Sequence, residues 1–430
     1  MSAFGRSFAA PAFRAVQSPR ALESGDAQGI AATSTHAFHA QGPRMKLSRI
    51  VLVLLATVTN AGWAVADDSG NFVVKLGQDT TSVEHYNRSA SRLEVNQVGR
   101  APRVLRRHFV YDFANGALSR LSMVVTPPGS TTPTQTIEIT VGTDSTRVQV
   151  QSGSAPAQTS AYALPPGTLI VASSSPWAPY EGQLMKFVRG KADSALSTMY
   201  FLGASGTSWL RLSKLGRDSV VIVNQHDDVF HVRVDKDGRV LGVLPISGTG
   251  KFSVARVPSL DVDAMAASFA AREQAGVGLG PLSPRDTVRV ANAGGASLMI
   301  DYGRPSRRGR AIFGNVVPYG QVWRTGANAA TQFRTDKALD FGGTVVPAGF
   351  YTLWTIPTAT GWKLVVNSET GQWGTEHKAD KDLYTVDMKT SPLTPALERF
   401  TITVDGNAQG GTLNMDWDAT RASVPFVVKP

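Results

Sequence analysis

Short segments with alternating apolar and polar residues follow one another from Asn71 to about Arg256. A period of two is typical of strands that bury one face. The pairs Asn115-Gly116 and Asp237-Gly238 separate neighbouring segments, and such pairs are the strongest short-range signal for a β-hairpin. No convincing helix interrupts these segments. The pattern therefore predicts an all-β domain, either one antiparallel sheet curved on itself into a half-barrel or a small sandwich.

A helix and a linker follow this region. The alanine-rich segment Ser259–Gln274 predicts a helix capped by Ser259 or Asp261, with Met265 and Phe269 on one face. Residues 275–284 are rich in glycine and proline and carry no charge, which indicates a linker. Strand patterns then resume, and one of them is Val322–Arg324. The sequence thus predicts two β domains, residues 67–258 and 285–430, joined by a helix and linker at residues 259–284. We expect the second domain to be a sandwich or jelly roll.

The segment before the first strand has the features of a secretory signal peptide, which we assign to residues 45–66. Met45–Arg49 is basic, Ile50–Val58 is almost wholly apolar, and Ala64–Ala66 has small residues at a cleavage site. We expect cleavage after Ala66 and export to the periplasm or out of the cell, with no membrane span left; an uncleaved anchor is the alternative. Residues 1–44 fit an extension upstream of the true start codon, and an organellar transit peptide is the rival interpretation.

Composition excludes several kinds of site. The chain has no cysteine, which rules out thiol catalysis, disulfides and thiolate metal ligands. Its formal net charge is +10, and part of that excess lies in the leader. So mild a charge, on a chain that we expect to be exported, is poor evidence for a nucleic-acid partner. The motifs G-x-S-x-G, H-E-x-x-H and the P-loop are absent from the sequence, so it indicates no reaction, and we expect no cofactor.

The second half contains a dense set of aromatic, glycine and arginine motifs. They are YGRPS (Tyr302–Ser306), RGR (Arg308–Arg310), IFG (Ile312–Gly314), VPYGQVWRTGANAAT (Val317–Thr331), PAGFYTLWTIP (Pro347–Pro357), QWGT (Gln372–Thr375), ERFTI (Glu398–Ile402) and WD (Trp417-Asp418). With these motifs, the segment from about Ser283 to Pro430 resembles the bacterial family of unknown function DUF2911. The resemblance implies an exported bacterial protein and no assigned activity. The first half resembles no family that we can name.

Trp323, Arg324 and Asn328 form the sharpest candidate for a ligand-binding site. A guanidinium offers a planar set of donors to a carboxylate, phosphate or sugar, and an amide both donates and accepts. Tyr319 and Tyr351, together with Trp323, offer faces on which a ring can stack. The alternative is structural: Gly326 and Asn328 hold a tight bend, Arg324 stacks on a tryptophan, and Trp323 belongs to the core.

A basic run is the second candidate. It comprises Arg304, Arg307, Arg308 and Arg310. These side chains suit a phosphate, an anionic glycan or a lipid headgroup, and we include Arg304 among the candidate ligand-binding residues. The alternative is a solvated loop between two strands, since charge runs are usually exposed.

Two groups contain weak candidates for metal ligands. The first consists of His377, Asp380 and Asp382, and the second of His226, Asp227, Asp228 and His231. An imidazole with two carboxylates can hold a divalent ion. Neither spacing matches a compact motif, and both groups also read as ordinary turns, so we expect no metal site.

The first domain is well supplied with large aromatic residues. They are Trp177, Tyr180, Phe187, Tyr200, Phe201 and Trp209. Most should lie in the core; in a half-barrel, some would line a cavity large enough for a lipid.

These observations favour a non-enzymatic exported protein that binds a small polar, glycan-like or envelope ligand through its second domain. One alternative is an envelope hydrolase, with metal assistance through His377 and the nearby acids as one version of it. The other is a lipid carrier or scaffold that uses the first domain.

Overall fold

The computed structural model describes residues 68–430, apart from residues 172–175, 205, 227 and 249. The predicted signal peptide, the upstream extension and Asp227 therefore lie outside the described residues. All described residues belong to one compact unit. Within that unit the strands form two sheets, of 15 and 9 strands, which confirms the prediction of two β domains.

The first sheet is built from the strands between Asp68 and Val257. Its strands are β1 (Asp68–Leu76), β2 (Asp79–Arg88), β3 (Arg92–Gly99), β4 (Leu105–Ala114), β5 (Ala117–Thr126), β6 (Gln135–Val141), β7 (Thr146–Ser152), β8 (Gln158–Tyr162), β9 (Leu169–Val171), β10 (Ser194–Phe201), β11 (Thr207–Lys214), β12 (Ser219–Asn224), β13 (Val229–Val234), β14 (Val240–Ser247) and β15 (Phe252–Val257). The order across the sheet runs from β8 down to β1, then from β15 down to β9. Neighbours are antiparallel except β9 and β10.

This sheet curves strongly around its own core. Buried side chains from distant strands, such as Phe72, Ile139, Ile170 and Val243, share one hydrophobic cluster. The two ends of the sheet also approach each other, since the ring of Tyr162 in β8 lies 5.0 Å from that of Tyr200 in β10. One face of the sheet therefore encloses a single core, as predicted for a curved antiparallel sheet.

A helix inside this domain corrects the sequence analysis, which found none there. Helix α1 (Ala178–Arg189) buries Leu184 and Phe187 in the cluster of the first sheet. Its ends follow ordinary signals, with Pro179 in the first turn and Gly190 after the last residue. The carboxyl group of Glu84 in β2 accepts hydrogen bonds from the amides of Trp177 and Ala178 at 2.8 and 3.0 Å. A glutamate distant in sequence thus supplies the N-terminal acceptor, which no local pattern reveals.

Hydrogen bonds and ion pairs of Glu181 fix α1 against the first sheet. The fully buried Glu181 accepts hydrogen bonds from Tyr86 Oη at 2.5 Å, Arg88 Nη1 at 3.0 Å and the amide of Val240 at 2.8 Å. Arg256 in β15 also pairs with this carboxylate. A buried charge needs such partners, because its desolvation is otherwise costly.

Two hairpins form where the sequence predicts them. Asn115 and Gly116 between β4 and β5 have φ angles of +50° and +72°, as a two-residue hairpin turn requires. Gly238, between β13 and β14, has φ of +83°, and a Cβ there would lie 2.6 Å from Met185 Cα. The second glycine is therefore required both by its turn and by the close approach of α1.

The predicted helix after the first sheet is confirmed as α2 (Val262–Gln274). Its cap is Asp261, whose side chain accepts a 2.9 Å hydrogen bond from the amide of Ala264. Ala266 and Phe269 bury one face of α2 against Val83, Val98 and Val104 of the first β domain. Residues 275–284 contain no helix or strand.

The second sheet contains the remaining strands. They are β16 (Arg285–Ala293), β17 (Ala296–Gly303), β18 (Thr331–Thr335), β19 (Leu339–Asp340), β20 (Val345–Val346), β21 (Gly349–Pro357), β22 (Trp362–Asn367), β23 (Asp382–Gly406) and β24 (Gly410–Val428). Their order is β16-β17-β18-β21-β22-β23-β24-β19-β20, and a 3₁₀ turn at Ala379–Lys381 precedes β23. Buried residues from β17, such as Ile300, share one cluster with Met415 in β24, so the sheet folds over a common core. The predicted strand Val322–Arg324 is wrong: only Trp323 pairs there, in a single bridge with Thr355.

The two β domains contact each other through buried polar groups. Arg308 of the second domain, 7% exposed, forms an ion pair with Asp79 at the start of β2, with Nη1 and Oδ2 2.6 Å apart. The amide of Gln78 donates to the carbonyl oxygen of Arg308 at 3.0 Å. Among the described residues, no helix is long and apolar enough to span a membrane.

Candidate functional site

A cleft of about 990 Å³ lies where the two β domains and the linker meet. The first domain lines it with residues that include Ile246, Lys251 and Phe252, and the second with residues that include Arg310 and Arg324. This volume is at the upper end of the range for small-molecule sites. Both domains therefore contribute walls to the same space.

The turn that carries Arg324 has an unusual backbone. Thr325, Gly326 and Asn328 have φ angles of +53°, +154° and +63°. Such angles are rare for threonine, and here hydrogen bonds hold the backbone: Thr331 Oγ1 donates to the carbonyl of Thr325 at 2.7 Å. The bridge between Trp323 and Thr355 fixes the residue before Arg324, with N–O distances of 2.7 and 2.9 Å. The side chain of Arg324 is thus presented from a firmly held turn.

Gly374 lies directly beside the side chain of Arg324. A Cβ at Gly374 would overlap Arg324 Cδ and lie 2.5 Å from the carbonyl oxygen of Asn328. The amide of Gly374 donates to that same oxygen at 2.9 Å. Only glycine leaves room for the arginine stem at this position, so the QWGT motif and the WRTGAN part of Val317–Thr331 form one structural unit.

Arg324 lacks a hydrogen-bonding partner among the residues that the structure describes. Its Nε atom is buried and unpaired, and no carboxylate of a described residue lies within 4.0 Å of its guanidinium nitrogens. Burial lowers the pKa of Arg324 from 12.5 to about 10, and the charge of Asp228 acts in the opposite direction. A buried donor without a partner costs free energy, which a bound acceptor would recover.

Two further cations line the cleft. Burial lowers the pKa of Lys251, and the charges of Arg324 and Arg310 lower it further against the effect of Asp228. Burial, and then the charge of Arg308, lowers the pKa of Arg310. The described lining contains no Asp or Glu. The arrangement therefore favours an anion in the cleft.

One family matches the segment that contains this turn. Residues 283–426 match DUF2911, a protein family of unknown function. The resemblance seen in the sequence is thereby confirmed for this segment. We call it the DUF2911 segment.

Comparisons with other proteins give no further guide. No curated protein matches this chain. Among solved structures, the binding domain of Botulinum neurotoxin DC in complex with rat synaptotagmin II is 9% identical, with 85% of this chain and 90% of that chain covered and a TM-score of 0.10. A structure described as a receptor binding domain is 8% identical, with 85% and 88% covered and a TM-score of 0.12. Scores this low carry no argument about fold or function.

The candidate residues of the DUF2911 segment occupy different places. Arg324 and Asn328 line the cleft. Trp323 also reaches it but is only 9% exposed, and its ring stacks on Trp417 with centroids 5.9 Å apart. Tyr319 is exposed and lines a separate depression beside Phe313.

Tyr351 and Arg304 lie outside the cleft lining. Tyr351 is buried in the core of the second sheet, and its hydroxyl donates to the carbonyl of Pro347 at 3.1 Å. Arg304 pairs with Asp286 at 2.9 Å and donates to Thr401 Oγ1 at 2.8 Å. Both side chains therefore have partners within the fold.

The basic run is divided among several partners. Arg307 lies 3.2 Å from a carboxylate oxygen of Asp418, and Arg308 pairs with Asp79. Arg310 donates to the carbonyls of Arg307 and Ser306 at 2.9 and 2.6 Å. Of this run, Arg310 alone is among the residues that line the cleft. Its bonds go to neutral oxygens, so its charge is not neutralised by them.

The weak metal candidates do not converge. His377 Nε2 lies 2.9 Å from Asp382 Oδ1, and its ring packs 4.8 Å from that of Trp354. Asp380 is exposed on the 3₁₀ turn and lies 3.7 Å from Lys381 Nζ. Within the part of the chain that the structure describes, no group of three His, Cys, Asp or Glu residues could hold a metal ion.

The second group is also separated. His226 precedes β13 and lines the cleft, whereas His231 lies within β13 opposite Leu244. Asp228 accepts hydrogen bonds from Asn224 at 3.1 Å and from the amide of Gly250 at 2.9 Å. These bonds tie the loops on either side of β13 and β14 at the edge of the cleft.

Most of the aromatic residues of the first domain lie against its core. Phe187 and Tyr200 belong to the buried cluster, and Trp177 and Tyr180 pack against it, while Phe201 is exposed. A second pocket, of about 210 Å³, lies beside α1 and is lined by Tyr111, Leu169 and Phe187, among others.

Sequence reasoning missed Lys251 and Ile246 as residues of the cleft. Ile246 lies on β14 and Lys251 on the loop before β15, and both are far in sequence from the DUF2911 segment. Two residues that meet across a domain boundary leave no local signal. The one hint in the sequence was Gly248-Thr249-Gly250-Lys251, in which two glycines precede a lysine.

Proposed function

We propose that this protein is a non-enzymatic binding protein whose cleft takes a small anionic ligand at Arg324. The observation that carries the proposal is the guanidinium without a described partner in a cleft whose described lining contains three cations and no carboxylate. Such a group binds a carboxylate or phosphate with two parallel hydrogen bonds. Asn328, exposed on the same turn, adds a donor and an acceptor.

The support of the turn favours this role over a purely structural one. Arginines that stabilise the fold of this segment, such as Arg304 and Arg308, have carboxylate partners within 3.0 Å. Arg324 has no such partner among the described residues, although Gly374 and the Trp323–Thr355 bridge fix its stem. A fixed cation without a partner is the arrangement expected of a preorganised binding site.

A panel of carboxylates, phosphates and sulfates, read by thermal shift and calorimetry, tests the proposal. We expect at least one anion to raise the melting temperature of the wild type, with Arg324→Ala weakening that anion by about tenfold or more. Arg334→Ala is the matched control, because Arg334 is an exposed arginine on β18. Equal responses of Arg324→Ala and wild type would refute the proposal.

We also propose that the mature protein works outside the cytoplasm. Support comes from the basic and apolar segment of residues 45–66, which precedes the described chain. N-terminal sequencing of protein from cell fractions tests this, with Asp67 as the expected first residue. Recovery of an uncleaved chain from the cytoplasm would contradict it.

A further inference from the structure

The walls of the cleft are aliphatic as well as cationic. Ile246 of the first domain is 60% exposed, and Val322 of the DUF2911 segment is 41% exposed. Both line the cleft, together with Phe252. Ile246 lies at an irregularity of the β13–β14 pairing, where Ser247 pairs with Val229 and Pro245 with Phe230. Exposed aliphatic side chains on two facing domains indicate an apolar part of a ligand.

Ring stacking has little support in this cleft. Three tryptophans contribute to its lining: Trp323, Trp354 and Trp417. All three are buried, with packing partners on their faces, as in the stack of Trp323 on Trp417. Phe252 also lines the cleft, but it is half-buried and packs against the core of the first sheet. A sugar ring needs an open aromatic face, so the wall suits an alkyl chain better than a glycan.

Cations from both domains line the cleft. Lys251 comes from the loop before β15, and Arg324 comes from the DUF2911 segment. The side chain of Lys251 has no hydrogen bond or ion pair with another described residue, and the charges of Lys251 and Arg324 interact. Asp228 is the carboxylate whose charge acts on both, and its oxygens already accept bonds from Asn224 and Gly250. The charge of one carboxylate therefore acts on both cations.

The volume of the cleft is much larger than that of a simple ion. A volume of about 990 Å³ would leave an inorganic phosphate or an acetate surrounded by water. Binding energy from such a cleft requires a ligand that also covers the aliphatic wall.

We infer that the ligand is an anionic amphiphile, with its carboxylate or phosphate head between Arg324 and Lys251 and its alkyl chain along Val322 and Ile246. This inference rests on the proposed function and specifies its ligand class. It also gives the first β domain a task, because that domain supplies Lys251 and Ile246. Both domains are then needed for tight binding.

Calorimetry on the purified full chain, below the micelle concentration of each probe, tests the inference. The probes are dodecanoate and dodecyl phosphate, which separate a carboxylate head from a phosphate head. Acetate and inorganic phosphate supply the heads without a chain. Dodecyl maltoside supplies the chain without a charge. We expect at least one dodecyl anion to bind about tenfold or more tighter than its short counterpart and than dodecyl maltoside.

Two variants with matched controls assign the contacts. Lys251→Met should weaken the dodecyl anion by about tenfold, whereas Lys236→Met, at an exposed lysine, should not. Ile246→Ser should weaken the dodecyl anion several-fold and leave acetate and phosphate unchanged. Leu215→Ser is its control, since Leu215 is similarly exposed but outside the cleft.

The outcomes separate this inference from the proposed function. If short anions bind as tightly as dodecyl anions, in a manner that depends on Arg324, the anion site stands and the amphiphile is refuted. If dodecyl maltoside binds as tightly as the anions, the head contact is refuted. If no anion in either set binds, both proposals fail. If Lys251→Met binds like the wild type, the first domain does not hold the head.

Discussion

Asp79 in the first β domain and Arg308 in the second form an ion pair with a 2.6 Å distance between Oδ2 and Nη1. Arg308 has φ of +50° and is almost fully buried, so its charge depends on this partner. The amide of Arg308 also donates to Glu398 at 2.8 Å. The pair therefore helps to fix the relation of the two domains on which the cleft depends.

We expect Asp79→Asn to lower the free energy of unfolding by about 1–2 kcal/mol, because it leaves a buried guanidinium unpaired while Asp79 itself is partly exposed. Urea denaturation measures the effect. Asp387→Asn is the control, since Asp387 pairs with Lys363 in solvent and should cost less than about 0.5 kcal/mol. Equal losses in the two variants would contradict the role given to the Asp79–Arg308 pair.

Glu84 should give stability a marked dependence on pH. Burial raises the pKa of Glu84 from 4.5 to about 8, against the hydrogen bonds from Trp177 and Ala178 that lower it. The folded state therefore keeps a proton that the unfolded chain releases above pH 4.5. The free energy of unfolding should fall by roughly a few kcal/mol as pH rises from 4.5 to about 8, and it should then level off.

The variant Glu84→Gln tests this assignment. A neutral amide keeps an oxygen acceptor for the start of α1 and removes the titration, so the fall between pH 4.5 and 8 should flatten. Glu138→Gln, at an exposed pair with Arg120, should leave the slope unchanged. Chemical denaturation at several pH values measures both. A Glu84→Gln protein with the wild-type slope would assign the dependence to other groups.

Gly374→Ala should impair the cleft through Arg324. The new methyl group would overlap the arginine stem, so the side chain or the turn must move. We expect anion affinity to fall about tenfold or more, because binding depends on a preorganised guanidinium. Gly361→Ala is the matched control, since its Cβ would meet only Met388 O at an ordinary 3.6 Å. Calorimetry with the best anion of the panel compares them.

Divalent cations should not stabilise the protein. The imidazole of His377 is held by Asp382 and Trp354, and Asp380 points to solvent in the described structure. Because these groups do not converge, added zinc, calcium or manganese should shift the melting temperature by less than the scatter of the measurement. A saturable rise that His377→Ala abolishes would restore the metal-assisted hydrolase.

The sequence predicts the β architecture well because period-two patterns and Asn-Gly turns are local. Asn115-Gly116 lies in the expected hairpin, and Asp261 caps the expected helix. Helix α1 escaped because its acceptor, Glu84, lies about 93 positions away in β2. At the strand predicted over Val322–Arg324, the structure has a single bridge at Trp323. The chain turns away from the sheet after it, because Thr325 and Gly326 have positive φ angles.

The candidate site was only partly accessible to such reasoning. Arg324 and Asn328 share a motif, so the sequence brings them together. Tyr351 follows the same aromatic pattern, yet strand alternation directs it into the core, where its hydroxyl bonds to Pro347. Lys251 reaches the cleft through the contact of two domains, and no spacing within one chain segment encodes that contact.

In the middle of the first sheet, β1 pairs with β15, for example at Asn71 and Val257. All other neighbouring strands of this sheet are consecutive in the chain. A ribosome that has made β1 to β8 has therefore made half of the sheet with one side of β1 still open. Unpaired strand edges recruit other chains into aggregates. The open edge of β1 is covered only when β15, the last strand of this sheet in chain order, pairs with it.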